Sequence, residues 1–416
     1  MKILEGAAVV GQSGGPTAAI NATLAGVIKG ALENESAITK IYGMRNGIEG
    51  LLEKNVVDLG AIFTSDGKID DEKITDLSHT PAAYLGSCRK KLPEVDGNGT
   101  YYENLIAIFK EFDIRYFFYI GGNDSMDTVT KLTEYLKQSD YEMRVIGLCK
   151  TIDNDLVGTD HTPGYGSAAK YIAATMQEIV RDCAVYKIPA VTVVEIMGRD
   201  AGWLTAAAAL PRIISGVAPD LVYLPERDFS MEDFLSDVKA ELVKKPNVVV
   251  AVSEGIRLSD GSYVGEGAQS GTVDVFGHKY LAGTGRELEM FIKREIGCKV
   301  RSVELNISQR CAAHILSLTD ITESFGVGYE GIKAALSGET GKMIAIVRGG
   351  GDVYSSSYAA LDIAGIANKI KYVPGEFIDE RGNNVTDDCL RHILPLIEGE
   401  PRVRYVGGLP YHVVLK

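Results

Sequence analysis

Two short loops rich in glycine, acid and amide residues carry the clearest chemical signals in this sequence. They are IGGNDS (120–125) and CKTIDND (149–155), and each directly follows an apolar run typical of a buried strand. In the first loop, bare backbone N–H groups at Gly122 suit phosphate oxygens. The side-chain oxygens of Asn123 and Asp124 are of the kind that binds Mg²⁺. This loop therefore predicts a phosphoryl-group subsite with a metal.

The second loop combines a cation, carboxylates and a hydroxyl. Lys150 supplies a point charge, Asp153 and Asp155 supply carboxylates, and Thr151 supplies the hydroxyl, so an anion, a metal and a proton could be handled together. The alternative is that either loop alone consists of ordinary turn residues. Two such loops about thirty residues apart, each after a strand, favour the functional interpretation.

The segment between the loops predicts how they are positioned. Met126, Val129, Leu132 and Leu136 repeat at helical spacing, which gives the order strand, glycine loop, helix, strand, acidic loop. A right-handed crossover of this kind places both loops at the carboxyl edge of one parallel sheet. We therefore expect the two loops to meet in one cleft.

A third glycine loop follows the first predicted strand, AAVVGQ (7–12). In SGGP, Gly15 belongs to the loop and Pro16 is expected in the first turn of a helix whose apolar stripe includes Ile20 and Leu24. By itself this pattern is weak, because strand-to-helix glycine turns are common in α/β proteins.

Further charged residues follow other glycine turns or predicted strands. They are Arg89 after GSC (86–88), Arg199 after AVTVVEIMG (190–198), Glu254 after NVVVAVS (247–253) and Arg310 after RSVELNIS (301–308). Arg89 belongs to a run of three basic residues, which is usually a solvated face, and its nearness to the glycine makes it the best functional candidate of the three.

Strands and helices alternate almost throughout, so we predict an α/β protein with two Rossmann-like three-layer domains, mainly parallel sheets and an active site in the cleft between them. A helix with Ser167 as N-cap is expected to open the second domain, and the apolar segment 358–370 to continue the alternation. We expect residues 1–165 plus about 311–360 in the first domain and 166–310 plus about 361–380 in the second domain. Residues 381–416 are expected to form a C-terminal appendage.

The bulk composition narrows the functional classes. The chain has 416 residues, 43 basic against 56 acidic, and no Lys/Arg block, which argues against a nucleic-acid partner. Six scattered cysteines without a metal-binding spacing predict reduced thiols and a cytoplasmic location. No apolar stretch approaches the roughly twenty residues of a membrane span, so no membrane partner is expected.

Together the cations, carboxylates and glycine loops suit phosphoryl transfer between two anionic ligands, which depends on positioning and charge neutralisation. Zinc-protease chemistry lacks comparable support, because the sequence contains no H-E-x-x-H segment. A Walker A lysine is also absent from the sequence.

The ordered segments SGGP, GSCR, GGNDS, KTIDND, MGRDAGWL, SEG and QR resemble the phosphofructokinase family, over about residues 7–350. The lysine before TIDND and the acid at position 124 are similar to the pyrophosphate-dependent members. The resemblance implies transfer from diphosphate to D-fructose 6-phosphate, giving phosphate and D-fructose 1,6-bisphosphate. It also implies Mg²⁺ as cofactor and a homodimer or homotetramer with shared sites.

The resemblance further implies roles for individual residues. Asp153 would be the base, acting with Lys150, Arg199 and Asp124. The diphosphate site would comprise Gly15, Arg89, Gly122, Asp124 and Lys150, and the metal site Asn123 and Asp124. The sugar-phosphate site would comprise Thr151, Ile152, Asp153, Met197, Gly198, Arg199, Glu254, Arg301, Gln309 and Arg310, with Arg301 reaching the 6-phosphate of a neighbouring subunit.

Three positions depart from the family pattern. Asn123 stands where the family normally has an aspartate for Mg²⁺, and Ile307 where ATP-dependent members have a histidine. Ala190 replaces an arginine of many members, so that a substrate contact is lost or supplied by Lys187.

Charge considerations favour diphosphate as donor. A carboxylate at Asp124 would repel the α-phosphate of a nucleotide, whereas Lys150 can neutralise the compact charge of diphosphate. Two alternatives remain open: an ATP-dependent kinase of the same fold, and a non-catalytic sugar-phosphate-binding regulatory subunit. The second would typically have lost the base, yet Asp153 and Arg199 are both present.

Overall fold

A computed structural model describes residues 3–265, 283–351, 353–366 and 369–415. The strands are β1 (Gly6–Gln12), β2 (Ile38–Met44), β3 (Val56–Asp58), β4 (Thr64–Ser65), β5 (Lys68–Ile69), β6 (Ile114–Gly121), β7 (Arg144–Cys149), β8 (Ala190–Ile196), β9 (Leu221–Tyr223), β10 (Asn247–Ser253), β11 (Lys299–Glu304), β12 (Lys342–Arg348), β13 (Ser356–Asp362), β14 (Tyr405–Val406) and β15 (Leu409–Pro410). The α-helices are α1 (Ile20–Leu32), α2 (Gly47–Leu52), α3 (Leu59–Ile62), α4 (Asp71–Ser78), α5 (Gly99–Glu111), α6 (Asn123–Leu136), α7 (Tyr165–Cys183), α8 (Trp203–Ala207), α9 (Pro211–Ser215), α10 (Met231–Lys244), α11 (Thr284–Glu295), α12 (Ser308–Cys311), α13 (Leu318–Leu336) and α14 (Asp387–Ile393). Short 3₁₀ turns lie at Ala313–Ile315, Ile363–Gly365, Gly375–Phe377 and Leu394–Ile397.

The larger sheet has seven strands in the order β13-β12-β7-β6-β1-β2-β3. Its five inner strands are parallel, and the two edge strands, β13 and β3, run antiparallel to their neighbours. The three central strands, β1, β6 and β7, are apolar and buried on both faces, as parallel strands covered by helices are expected to be. The register pairs Gln12 with Ile120 and Gly121 with Cys149, so the three loops that follow β1, β6 and β7 start side by side.

The smaller sheet has four parallel strands in the order β11-β8-β10-β9. Ser253 pairs with Ile196, which places the residues after β8 and β10 next to each other. The prediction of an α/β fold with mainly parallel sheets is therefore confirmed. Two further hairpins, β4–β5 and β14–β15, stand apart from these sheets.

The starts of two helices differ from the sequence prediction. Helix α1 begins at Ile20, so Pro16 lies in the preceding loop and not in the first helical turn. Helix α7 begins at Tyr165 after Gly164, which has a φ of +100°, so Ser167 is inside the first turn and is not the N-cap. The Ser167 N–H instead donates to Oδ2 of Asp320 at 2.9 Å, and this buried carboxylate caps the helix from another element.

The C-terminal third also departs from simple alternation. The apolar segment after β12 forms the antiparallel strand β13, which ends at Asp362 and is followed by Ile363 in the core of the larger sheet. The helix α14 and the turn after it lie within the segment interpreted as an appendage. They bury Cys389, Leu390 and Leu396 in the core beside the smaller sheet, because their apolar faces pack against α7 and α8.

Two general properties match the composition. Within the described ranges, none of the helices has both the length and the apolar character needed to cross a membrane. All six cysteines are free thiols, as the absence of a pairing pattern predicted.

Candidate active site

The loops at the carboxyl ends of both sheets enclose a cleft of about 200 Å³. Its lining residues are Gly15, Pro16, Thr17, Arg89, Lys150, Thr151, Ile152, Asp153, Met197, Glu254 and Arg310. All but Pro16 and Thr17 were candidates from the sequence. The structure thus brings together residues that are up to 295 positions apart, Gly15 and Arg310, because parallel strands end at a common edge.

Lys150 is a buried cation at the floor of the cleft. Its side chain is 3% exposed, and Nζ donates a hydrogen bond of 2.6 Å to the carbonyl oxygen of Gly15. Burial, together with the nearby Arg89 and Arg310 charges and against the opposing effect of Asp153, lowers the pKa of Lys150 to about 8. A cation held in this way gains most when an anion enters the cleft.

Asp153 lies in a tight turn at the centre of the cleft. Its backbone N–H donates to Oγ1 of Thr151 at 3.1 Å, and the next residue, Asn154, adopts the left-handed conformation with a φ of +55°. Burial raises the pKa of Asp153, although the charges of Arg199 and Lys150 oppose that rise. A carboxylate with a raised pKa is a better proton acceptor than an ordinary surface aspartate.

A second carboxyl group follows in the same loop. Burial, together with the charge of Asp153, raises the pKa of Asp155 to about 7. Asp153 and Asp155 are two positions apart in one turn, so two acidic groups lie close together. The surrounding cations must balance their negative charge.

The smaller sheet supplies the opposite wall through the MGR and SEG segments. Gly198 has a φ of +126°, and a Cβ there would lie 2.6 Å from the carbonyl oxygen of Ala201, so only glycine fits this turn. The Gly198 N–H donates to Oε1 of Glu254 at 3.3 Å. Burial raises the pKa of Glu254 to about 8, and the charge of Asp153 adds to this effect.

Two arginines and a glutamine complete this wall. Arg199 acts electrostatically on both Asp153 and Glu254, and Arg310 Nη1 lies 3.6 Å from the position that a Cβ on Gly15 would take. Gln309 is buried, accepts from the Met197 N–H at 3.2 Å and donates to the Asn306 carbonyl at 2.9 Å. Both ends of the Gln309 amide are used within the protein, so this residue supports the MGR turn from behind.

The glycine loop after β6 presents the candidate metal ligands at the start of α6. Asn123 Nδ2 donates to the Lys369 carbonyl at 3.1 Å, while its Oδ1 is buried without a hydrogen-bond partner. Asp124 forms an ion pair with Lys91 at 3.1 Å. Gly122 precedes them as the N-cap of α6, and its carbonyl accepts from Ser125 and Met126.

The donor set at this loop fits a weakly held Mg²⁺. A buried carbonyl-type oxygen without a partner is a suitable ligand, and Asp124 can add a carboxylate. In the described part of the chain, however, no group of three or more acidic, histidine or cysteine side chains could hold a metal by itself. The remaining ligands would have to come from a bound anion or water.

Arg301 lies apart from this cleft. It is exposed on β11 opposite Thr192, near the amino end of β8, where Ala190 pairs with Asn247 and Lys299. Ala190 and the exposed Lys187 are therefore at the opposite edge of the smaller sheet from Met197. Within one chain, neither Arg301 nor Lys187 contributes to the cleft.

A larger groove of about 400 Å³ lies at the amino-terminal edge of the larger sheet, between the end of α6 and the start of β7. Its charged lining residues are of both signs, four acids (Glu134, Asp140, Glu142 and Asp362) and two bases (Lys137 and Arg144). Because the charges do not converge and the groove is at the wrong strand ends, the smaller cleft is the better functional candidate.

Two residues in and around the cleft were missed by the sequence analysis. Thr17 follows the SGGP segment and could have been included as a loop hydroxyl. Lys371, which contacts the acidic loop without lining the cleft, directly follows the apolar segment 358–370 and has no glycine turn beside it. Only the folded chain brings it near Asn154.

The fold and the cleft define an α/β protein whose two sheets enclose a cleft lined by glycine loops, cations and carboxylates. The family model described as Phosphofructokinase matches residues 7–328. A pyrophosphate--fructose 6-phosphate 1-phosphotransferase of Halomonas elongata is 40% identical over 401 residues, covering 96% of this chain and 93% of the relative. A protein of the same name from Methylococcus capsulatus is also 40% identical, covering 97% and 94%.

A solved structure gives the same result. The crystal structure of a pyrophosphate-dependent phosphofructokinase from Nitrosospira multiformis has a TM-score of 0.88 and 36% identity, covering 99% of this chain and 97% of that one. The chain therefore belongs to the phosphofructokinase family.

Proposed function

We propose that the protein is a diphosphate-dependent phosphofructokinase. It transfers a phosphoryl group from diphosphate to the C1 hydroxyl of D-fructose 6-phosphate, giving phosphate and D-fructose 1,6-bisphosphate. The observation that carries this proposal is the buried Lys150, which contacts the Gly15 carbonyl in the same cleft as Asp153. The full-length relatives named for this reaction support it.

The donor side neutralises a compact polyanion. Lys150 contacts the glycine loop that contains Gly15, and Arg89 lines the same cleft. Gly15 and Gly122 let diphosphate oxygens approach the backbone closely. These groups stabilise the transition state mainly by holding charge in place, as expected for phosphoryl transfer.

The acceptor side supplies the base. The C1 oxygen attacks the phosphorus of diphosphate, the bridging P–O bond breaks, and the leaving phosphate takes the electron pair of that bond. Asp153 accepts the C1 hydroxyl proton and passes it to the leaving phosphate or to solvent. The charges of Lys150 and Arg199 oppose the rise in its pKa that burial causes, and so favour the ionised form that a base requires.

The sugar phosphate is held by the opposite wall. Arg199 and Arg310 attract the anion, Glu254 is placed to accept from sugar hydroxyls, and Met197 with Gly198 shapes the pocket. Thr151 and Ile152 close the cleft beside the base. Arg301 would complete the site from a neighbouring copy in a homodimer or homotetramer, since it is exposed on the edge strand β11 and does not line the cleft of its own chain.

Asn123 and Asp124 are the residues that would hold Mg²⁺, which supplies charge neutralisation to diphosphate when bound. The Asn123 Oδ1 atom is the buried oxygen available for it. With one neutral ligand in place of a carboxylate, Asn123 and Asp124 alone would hold the ion weakly, and the ion would be expected mainly as a complex with diphosphate. The enzyme is proposed to act in the cytoplasm, where its free thiols stay reduced.

We expect the choice between diphosphate and ATP as phosphoryl donor to depend on the charge of Asp124 at the rim of the cleft. Asp124 lies beyond the compact phosphate subsite, where its carboxylate repels the α-phosphate of a nucleotide. The ion pair with Lys91 partly neutralises that carboxylate. We therefore expect Asp124 to contribute less to the exclusion of ATP than the buried Lys150 contributes to the use of diphosphate.

The test is a donor comparison with the purified protein. Fructose 1,6-bisphosphate formation is measured with fructose 6-phosphate, Mg²⁺ and either diphosphate or ATP at equal concentrations. We expect turnover with diphosphate and a much lower kcat/KM with ATP. A preference for ATP would assign the protein to the ATP-dependent kinases, and binding of fructose 6-phosphate without turnover of either donor would make it a regulatory subunit.

A further inference from the structure

A short segment, residues 369–373, connects the acidic loop to both domains, and we call it the 369–373 strap. It pairs with the acidic loop through the bridge between Ile370 and Leu156. The Lys369 carbonyl accepts from Asn123, so the strap also reaches the candidate metal loop. One five-residue segment thus contacts both loops that follow β6 and β7.

The centre of the strap is Lys371, whose side chain is directed at the acidic loop. Nζ donates to Oδ1 of Asn154 at 3.0 Å, to the Thr159 carbonyl at 3.2 Å and to the Asp160 carbonyl at 2.7 Å. The Lys371 backbone N–H donates to the Asp155 carbonyl at 2.8 Å. An ammonium group has three donors, and here all three are used on the segment that follows the proposed base.

The strap also contacts residues of the predicted second domain (166–310). The Lys371 carbonyl accepts from the indole N–H of Trp203 at 3.0 Å, and Nζ lies 5.4 Å from the centre of that ring. The Val373 N–H donates to Oε1 of Glu226 at 2.9 Å, an oxygen that also accepts from Gly202 at 2.8 Å. Movement of the acidic loop is therefore coupled to the MGRDAGW segment of the opposite wall.

The acidic loop needs such external support. Asn154 is buried in a left-handed conformation, and a sparsely populated backbone geometry persists only where its surroundings hold it. The direction in which Asp153 points is set by this turn. Lys371 is partly buried, and its ammonium group donates to two carbonyls and an amide, with no carboxylate among its hydrogen-bond acceptors. Desolvation of this charge is unfavourable, and its contacts are explained if they fix that turn.

We propose that Lys371 is a positioning residue for Asp153, acting through Asn154 and the Asp155 backbone without touching the substrates. It is absent from the residues that line the cleft. This inference rests on the proposed function, because Asp153 is its base. Loss of Lys371 should misplace the base and reduce the chemical step while leaving the two anion subsites in place.

The first experiment compares Lys371→Met with the wild type in the full-length protein. We expect kcat to fall about 10- to 100-fold, as for a misplacement of about 1 Å, with KM for fructose 6-phosphate and diphosphate changed less than about threefold. Lys371→Arg, which can still donate to the loop, should recover part of the kcat. The matched control is Lys170→Met, since Lys170 likewise donates to a carbonyl, that of Gly399, at 2.6 Å but lies away from the acidic loop. Its kcat should equal that of the wild type.

A second variant separates positioning from general stability. Asn154→Gly is compatible with the left-handed turn and removes the side-chain amide that provides the Oδ1 acceptor, so we expect a lower kcat with little change in Tm. The double variant should lose no more kcat than Lys371→Met alone, because Lys371→Met already removes the contact with Asn154.

Three results would overturn the inference: a wild-type kcat in folded Lys371→Met, a wild-type kcat in Asn154→Gly, or multiplicative losses in the double variant. If the wild type itself fails to use diphosphate, the proposed function fails first, and the two failures are distinguished by that single assay.

Discussion

Removal of the Lys150 charge is the perturbation whose size the structure defines best. The lysine is buried, and its pKa is lowered from 10.5 to about 8. A difference of about 2.5 in pKa corresponds to roughly 3 kcal/mol of unfavourable charging in the empty cleft. In the proposed reaction, the negative charge of diphosphate and of the transition state for phosphoryl transfer offsets this unfavourable free energy.

The expected effect of Lys150→Met follows directly. If the transition state recovers at least the roughly 3 kcal/mol, kcat/KM for diphosphate falls by a factor of about 10² or more. The assay is the initial rate of fructose 1,6-bisphosphate formation at subsaturating diphosphate and saturating fructose 6-phosphate. Lys170→Met, which removes a lysine remote from the cleft, serves as the control and should retain full activity.

The pH dependence gives an independent check on the same lysine. The protonated form neutralises the donor, and the lysine loses its proton as pH rises through about 8. In the free enzyme, kcat/KM for diphosphate should therefore decline above pH 8. A loss of less than fivefold in Lys150→Met, together with a flat profile between pH 7 and 9 in the wild type, would refute the assignment.

Three further predictions concern other buried or charged groups. Asp153→Asn should retain fructose 6-phosphate binding in calorimetry while kcat drops by about 10²–10⁴; near-normal turnover would remove Asp153 as base. Asp124→Gly should raise the ratio of kcat/KM for ATP to that for diphosphate, and more so with Lys150→Gly; a flat ratio across the four proteins would show that these positions do not select the donor. His161 contacts two carboxylates, one of them Glu323 at 2.5 Å; burial lowers its pKa, but these hydrogen bonds outweigh burial and raise it above 6.5. The stabilisation of the folded state by protonated His161 is complete below pH 6.5 and is lost as pH rises through the raised pKa. His161→Gln should therefore lower the free energy of unfolding in urea by about 3–5 kcal/mol at pH 6 and by less at pH 9. An equal loss at both pH values would contradict this.

The parts of the fold that depend on local pattern were predictable. The strands before IGGNDS and CKTIDND are apolar runs bounded by glycine and acid, and the helix between them has a regular stripe, so the crossover and its loops followed from periodicity. The cleft then followed from the rule that parallel strands end at one edge. These arguments use neighbours in sequence, which is why they succeeded.

The parts that depend on distant partners were not predictable. Helix α7 starts before Ser167 because Asp320, from α13, caps its N-terminus. The partner of Asp124 is Lys91, chosen by the packing of the loop before α5. Lys371 meets Asn154 from 217 positions away, and nothing in its local sequence distinguishes it from a surface lysine. Tertiary contacts of this kind leave no local signal.

The order of strands in the larger sheet has a consequence for how the protein is made. Strand β12 (Lys342–Arg348) pairs with β7 (Arg144–Cys149). The larger sheet therefore remains incomplete until nearly 200 residues after β7 have left the ribosome. At 5–20 residues per second this is a delay of roughly 10–40 s, during which the edge of β7 is open. The smaller sheet (residues 190–304) lies entirely within that interval and can close first. Until β12 and β13 arrive, the nascent chain carries an exposed apolar edge strand, which makes it a natural client for chaperones that bind such edges.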